Sequence, residues 1–157
     1  MGNMFKRLLL MAVMAVSMVA CTEKDGPYPE KAEPQLEVTR NNISGAWRLE
    51  SWKGAPLAEG SYIYIDFVRA DRTYTMWQNI DSAPARKITG LYNIDIDEEL
   101  GAVIRGNYDY GNGDWAHRYI VKSLTASEMI WVAKDDAEDV SVYVRCQIPE
   151  ELLGSEE

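Results

Sequence analysis

A folded domain is predicted to begin with residues 43–52, Ile-Ser-Gly-Ala-Trp-Arg-Leu-Glu-Ser-Trp. From Ser44 onward the chain reads with a period of two, which is typical of β-strands that bury one face. The residues before this stretch have a different composition, and those after it form a series of similar short runs. The stretch therefore marks where an N-terminal segment gives way to a β-rich domain.

The first residues have the layout of a secretory signal peptide. Lys6 and Arg7 precede an apolar run over residues 8–20, which is shorter than the roughly 20 residues that a permanent transmembrane helix needs. The sequence Met18-Val19-Ala20-Cys21 ends this run and resembles a bacterial lipobox, in which the cysteine is lipidated and becomes the new N-terminus. The resemblance implies that Cys21 carries a lipid anchor and that the membrane is a partner of this chain.

Four segments are predicted along the chain. They are a signal peptide (1–20), a lipidated N-terminus with a flexible tether (21–42), a β-barrel domain (43–148) and an acidic C-terminal tail (149–157). The tether is predicted because three prolines stand among charged residues without any apolar period. The acidic stretch after Cys21 is similar to that of outer-membrane lipoproteins of Gram-negative gut anaerobes. It implies display on the cell surface, with the periplasmic face as the alternative.

The charge balance narrows the classes of partner. The chain has 16 basic and 25 acidic residues, and loss of Lys6 and Arg7 with the signal peptide leaves 14 basic residues and a net charge of −11. Such a chain is not expected to bind nucleic acid, because that binding depends on cations that neutralise phosphates. Lipidation would use one of the two cysteines, so Cys146 is left alone and no disulfide is expected.

About eight short strands are predicted after the tether. They lie in the 43–52 stretch and at 62–67, 73–77, 88–96, 102–108, 115–124, 129–134 and 140–146. Glycine, proline, aspartate and asparagine separate them, as in turns. Consecutive strands without intervening helices favour an antiparallel meander that closes into an up-and-down barrel. A two-sheet β-sandwich is the alternative on this pattern alone.

A meander sorts its connections between two ends. The first, third, fifth and seventh connections fall at one end, and they are the longer set: 53–61, 79–85, 109–114 and 135–139. The other connections are tighter. One end of the barrel is therefore predicted to be an open mouth and the other a closed base.

Four short motifs suggest a family. Gly45-Ala46-Trp47 resembles the Gly-x-Trp motif of lipocalins, and residues 67–74 and 119–125 with Gly90-Leu91-Tyr92 resemble lipocalin-like domains of bacterial surface lipoproteins. The resemblance covers roughly residues 43–147. It implies that Trp47 plugs the closed base and that Arg145, near the end of the last strand, packs against it.

Little in the sequence indicates catalysis. His117 is the only histidine, and no nucleophile elbow, metal-ligand spacing or phosphate loop is present. We therefore expect neither an enzyme nor a cofactor or metal. The carboxylates at 95–99 and 135–139 lack a calcium-loop pattern and are expected to be solvated turns. Asp81-Ser82-Ala83 resembles an O-glycan acceptor of the same kinds of bacteria.

Aromatic residues with polar tips are the remaining signal, with nine Tyr and five Trp against two Phe. Such rings suit a pocket that needs both stacking and hydrogen bonding. The predicted ligand-contacting residues near the mouth are Trp77, Tyr108, Tyr110, Trp115, His117 and Tyr119. The leading hypothesis is a barrel that binds a small hydrophobic or glycan-type ligand. The alternative is a protein-interaction module of an envelope complex, for which the barrel interior should be filled.

The anchor prediction can be tested by phase partitioning. Cys21→Ala removes the lipidation site, so the protein is expected to move from the detergent phase to the aqueous phase. Cys146→Ala changes the other cysteine and should leave the protein in the detergent phase. An unchanged partition of Cys21→Ala would contradict the lipid anchor.

Overall fold

The computed structural model describes residues 32–80 and 84–154. The predicted signal peptide, Cys21, the first part of the tether, Asp81-Ser82-Ala83 and the last three residues lie outside this range. The elements are α1 (Arg40–Ile43), β1 (Gly45–Trp52), β2 (Ala55–Pro56), β3 (Tyr62–Val68), β4 (Thr73–Asn79), β5 (Arg86–Asp97), β6 (Gly101–Gly106), β7 (Tyr119–Leu124), β8 (Glu128–Ala133), β9 (Asp136–Arg145) and α2 (Glu150–Leu153). No helix within this range is long and apolar enough to cross a bilayer.

The strands form a closed antiparallel barrel. Their order is β1-β3-β4-β5-β6-β7-β8-β9, and β9 pairs back onto β1, while β2 pairs only with the end of β1. Eight strands thus close on themselves, which removes the exposed edges that an open sheet would present. The predicted antiparallel up-and-down barrel is confirmed, and the β-sandwich alternative is wrong.

One predicted strand is shorter than expected. The run 115–124 was predicted as continuous strand, but β7 begins at Tyr119, and residues 107–118 form a loop. An isolated bridge joins Asn107 to Asp114, and the Trp115 amide donates to Gly106 O at 2.9 Å. These bonds turn the chain back on the end of β6, so Trp115 cannot continue the β7 ladder.

Trp47 closes the base of the barrel. Its side chain has no solvent exposure, and its Nε1 donates to Ile43 O at 2.9 Å. The guanidinium of Arg145 stacks on the indole, with Cζ 3.8 Å from the ring centroid. A cation over an indole stabilises by about 0.5–2 kcal/mol, depending on burial. The register agrees with this pairing, because Trp47 lies opposite Arg145 in the β1–β9 ladder.

The Arg145 guanidinium also holds the chain that enters β1. Nη1 donates to Ser44 O at 2.6 Å and Nη2 to Asn42 O at 3.1 Å. Gly45 lies beside it with φ +101°, a left-handed conformation that favours glycine. A Cβ on Gly45 would lie 3.2 Å from Arg145 Nη1. The glycine of the Gly-x-Trp motif therefore permits both the turn and the approach of the arginine.

The folded domain begins before the boundary predicted at Ile43. The expected tether included Glu33 to Asn42, yet Leu36 N donates to Leu124 O at 2.8 Å and Glu33 accepts from Ser127 Oγ at 2.6 Å. Leu36 and Val38 pack against the core. Leu36 and Val38 alternate with polar residues, but two apolar positions are too few to establish a strand period. The sequence pattern therefore does not distinguish this segment from a tether.

The plug can be tested by equilibrium unfolding in urea. Trp47→Ala is expected to lower the free energy of unfolding by about 3–5 kcal/mol, because it leaves a large cavity at the base. Trp47→Phe keeps a ring under Arg145 and loses the hydrogen bond to Ile43 O, so it should cost less. A loss below about 1 kcal/mol for Trp47→Ala would contradict a structural role.

Candidate functional site

A cavity of about 370 Å³ lies at the mouth of the barrel. Aliphatic and methionine side chains form one part of its lining: Leu49, Leu57, Ile63, Met76, Ile80 and Ala116. Aromatic and polar side chains form the rest: Trp52, Gln78, Tyr108, Trp115, His117, Tyr119, Trp131, Asp139, Ser141 and Tyr143. The cavity thus combines an apolar surface with several hydrogen-bonding groups.

The predicted mouth loops surround this cavity. Leu57 comes from the first connection and Ile80 from the third, while Tyr108 and residues 115–117 flank the tip of the fifth. Asp139, the last residue of the predicted seventh connection, also lines the cavity but lies on β9. Residues in or next to all four predicted connections therefore contribute to the lining. The strands supply the floor and the lower walls.

A β-bulge in β1 turns Trp52 toward the cavity. Leu49 pairs with Tyr143 and Ser51 pairs with Val142, so Glu50 is an extra residue in the ladder. Without the bulge, alternation from Trp47 and Leu49 would place Ser51 on the inner face. The extra residue shifts the alternation, and Trp52 lines the cavity instead.

Trp131 separates the cavity from the packed core. Its ring centroid lies 4.8 Å from that of Tyr143, 5.2 Å from that of Tyr119 and 6.1 Å from that of Trp115. On the core side, Phe67 lies 6.2 Å away. Trp131 is 2 % exposed. These tilted ring contacts fix the floor of the cavity, because each neighbour is itself held on a strand or a bonded loop.

The loop carrying Trp115 is fastened to the barrel by a chain of hydrogen bonds. Trp115 Nε1 donates to Tyr74 Oη at 2.8 Å, and Tyr74 Oη donates to Asn107 O at 2.7 Å. Asn107 Oδ1 accepts from Leu91 N at 2.9 Å. Trp115 is therefore positioned by β4 and β5 as well as by its own loop.

Two glycines make room for this loop. A Cβ on Gly106 would lie 2.4 Å from the Trp115 ring, and a Cβ on Gly90 would lie 2.0 Å from Asn107 O. Either contact is too short for real atoms, so a larger residue would displace the loop. Gly90 of the Gly-x-Tyr motif thus allows the backbone of Asn107 to approach β5 closely.

The polar groups of the cavity gather on β9. Asp139, Ser141 and Tyr143 alternate along its inner face and are each at most 6 % exposed. Asp139 Oδ1 accepts from Trp52 Nε1 at 2.7 Å. Burial, with the charge of Asp139, raises the pKa of Tyr119 to about 12. Burial also raises the pKa of Tyr143 well above its usual range, with smaller contributions from Tyr119 and Asp139.

The position of Asp139 corrects the expectation that residues 135–139 are a solvated turn. Val132 pairs with Val140 and Ala133 with Asp136, so residues 137–139 bulge out of the β8–β9 ladder. Asp139 then resumes the inward alternation that Ser141 and Tyr143 follow. Asp135 and Glu138 remain exposed.

His117 lies at the rim of the cavity. Its Nδ1 is 2.7 Å from Asp135 Oδ1, and its side chain is 33 % exposed. The hydrogen bond to His117 lowers the pKa of Asp135. This carboxylate is distant in sequence, and only the loop and the β8–β9 turn bring the two side chains together.

The predicted ligand-contacting residues divide into two groups. Tyr108, Trp115, His117 and Tyr119 line the cavity, whereas Trp77 and Tyr110 do not. Trp77 lies between the lining residues Met76 and Gln78 on β4, so alternation places it on the opposite face. Tyr110 is 59 % exposed and has φ +59°, a backbone conformation that turns the tip of its loop.

Sequence reasoning missed several lining residues, above all Trp131, Asp139 and Tyr143. Trp131 and Tyr143 could have been found from alternation, because they share the inner faces of their strands with core residues. Among the described residues, no three His, Cys, Asp or Glu side chains are grouped so that they could hold a metal ion.

Comparisons with known proteins found distant structural likenesses. No protein-family model and no curated protein matches the chain. The chain is similar to the NMR structure of a protein from Bacteroides uniformis ATCC 8492, with 20 % identity, 69 % of this chain and 93 % of that chain covered, and a TM-score of 0.49. It is also similar to the 1.79 Å crystal structure of a lipocalin-like protein from the same organism, with 13 % identity, 67 % and 99 % covered, and a TM-score of 0.46.

The raised pKa of Tyr119 predicts an alkaline loss of stability. An unfolded tyrosine loses its proton near pH ~10, whereas folded Tyr119 keeps its proton up to about pH 12. Between these values the unfolded chain binds fewer protons, so stability falls as the pH rises. Tyr119→Phe should show a shallower fall in urea unfolding between about pH 9 and 11.5. Equal slopes for the variant and the wild type would contradict the raised pKa of the partly buried Tyr119.

Proposed function

We propose that this chain is an exported, lipid-anchored binding protein whose barrel holds a small, partly apolar ligand at its mouth. The observation that carries this proposal is the cavity of about 370 Å³ among the mouth loops. Sites for small ligands occupy about 300–1,000 Å³ and combine apolar walls with a few polar groups. The cavity has both properties.

The apolar wall supplies the affinity in this proposal. Ile63, Met76 and Leu49 come from neighbouring strands, and Leu57 and Ile80 extend the wall into the loops. Burial of apolar ligand surface contributes about 25 cal/mol per Å² before the losses of translational and side-chain freedom. A ligand with an apolar body therefore fits this side better than a fully polar one such as an unmodified glycan.

The aromatic side supports a site that is formed before the ligand arrives. Trp131 and its ring neighbours Tyr119 and Tyr143 lie on strands, and Trp115 is bonded through Tyr74 to the backbone of Asn107. Fewer side chains then need ordering on binding, which lowers the entropic loss.

The state of the barrel interior favours ligand binding over the alternative of a protein-interaction module. The base half is filled by a buried cluster that includes Trp47, Phe67 and Met129. The mouth half holds the cavity. A protein-interaction module built on a filled barrel would not need this space.

The proposed function also includes a cellular location and a role without catalysis. The lipobox-like sequence at Cys21 supports a lipid anchor in the outer membrane, with the barrel displayed at the cell surface. The role that we propose is binding without catalysis, because the sole histidine is at the rim and bonded to Asp135.

A neutral fluorescent probe tests the cavity directly. N-phenyl-1-naphthylamine gains fluorescence in apolar sites, so the wild type is expected to bind it saturably. Ile63→Trp places an indole in the cavity and should weaken probe binding at least tenfold. Ile96→Trp makes the same substitution at a residue that is 74 % exposed and outside the lining, and it should bind like the wild type.

A second filling variant guards against misfolding. Met76→Trp fills the cavity from the adjacent strand, and circular dichroism shows whether each variant keeps the barrel. Folded variants that bind the probe as well as the wild type, or a wild type that does not bind it, would overturn the proposed site.

A further inference from the structure

Among the described residues that line the cavity, one is a buried carboxylate. Asp139 lines the cavity and is 6 % exposed. It lies on the inner face of β9, in the row that continues with Ser141 and Tyr143. A charge removed from water in this way is costly unless it is paired and hydrogen-bonded.

Within the described residues, Asp139 has a hydrogen-bond donor and no cation. Trp52 Nε1 donates to Oδ1 at 2.7 Å, and the indole is neutral. The ion pairs of these residues do not include Asp139. The described residues therefore supply only part of what a buried carboxylate needs.

Lys53, the residue after Trp52, contacts groups other than Asp139. Lys53 Nζ lies 5.0 Å from the centroid of the Trp52 ring and 3.7 Å from Asp136 Oδ2. The Asp136 side chain is 42 % exposed, and Lys53 is not among the residues that line the cavity. His117, at the rim, is bonded to Asp135.

The polar end of the cavity is consequently negative. Burial raises the pKa of both Tyr119 and Tyr143, and the charge of Asp139 adds a smaller contribution to each shift. Leu49, Ile63 and Met76 line the same space without charge. A ligand that matches both ends has an apolar body and a cationic head.

We propose that the ligand class of this site is a small apolar amine, bound in its protonated form with the ammonium group paired to Asp139. This assignment rests on the proposed function, because it concerns the same cavity. A bare divalent metal ion does not fit, since calcium needs six or more oxygens and magnesium near-octahedral ones. An ammonium group needs only an acceptor, which the free lone pairs of Asp139 provide.

Three compounds with one phenylethyl body separate the head group from the apolar part. They are 2-phenylethylamine, 2-phenylethanol and 3-phenylpropionate, used with the full mature protein at about pH 7.5, where an alkylamine is protonated. Isothermal titration is expected to show at least tenfold tighter binding of the amine than of the alcohol, and weaker binding still of the carboxylate.

Asp139→Asn supplies the decisive variant. It should remove the preference for the amine while binding of the alcohol and of N-phenyl-1-naphthylamine persists. Glu138→Gln removes one negative charge from the exposed residue that precedes Asp139. It should keep the preference for the amine within about twofold.

The outcomes distinguish the two proposals. Equal binding of amine and alcohol by the wild type, or a preference that survives in Asp139→Asn, overturns the amine assignment and leaves the binding cavity standing. If the wild type binds none of the three compounds and does not bind the naphthylamine probe, the cavity is not a ligand site.

Discussion

The pairing of β1 with β9 is the constraint on which the rest of the structure depends. It joins the first and last strands of the barrel, so every intervening strand must fit within a fixed circumference. Trp47 and Arg145 face each other in this ladder, and the guanidinium lies 3.8 Å over the indole. The same guanidinium binds Ser44 O and Asn42 O. One side chain therefore connects the strand closure, the core plug and the entering chain.

A fixed base leaves the other end free to carry irregular structure. The bulges at Glu50 and at residues 137–139 both lie near the mouth, where they turn Trp52 and Asp139 toward one cavity. A bulge interrupts a ladder and re-aims a side chain. Here the two bulges bring a donor and an acceptor within 2.7 Å. The loss of regular pairing at this end is thus coupled to the assembly of a polar site.

The sequence was sufficient for the architecture because short strands and their turns follow local rules. Loop parity places Trp47 and Arg145 at one end and correctly groups the connections that supply Leu57 and Ile80 at the other. The facing of individual side chains was harder to predict. Alternation cannot reveal a bulge, so it predicts neither that Trp52, which follows the first strand near the mouth, turns inward nor that Asp139 leaves a solvated turn for the inner face. The sequence also predicts Trp77 at the mouth, although Met76 and Gln78 occupy the inner face. The contacts of Leu36 and Glu33 also depend on tertiary packing, which the local sequence pattern does not predict.

The segment from Glu33 to Ile43 also determines how the barrel would respond to mechanical load. A pull on the chain before Glu33 would first reach the bonds of Glu33 with Ser127 and of Leu36 with Leu124. These bonds lie at the β7–β8 turn, where Ser127 O also accepts from Arg145 N at 2.7 Å. The next bonds to bear the load would be those from the Arg145 guanidinium to the backbone carbonyls of Asn42 and Ser44. Tension from the N-terminal side would therefore load the β7–β8 turn and Arg145 before it could open the barrel or disturb the mouth.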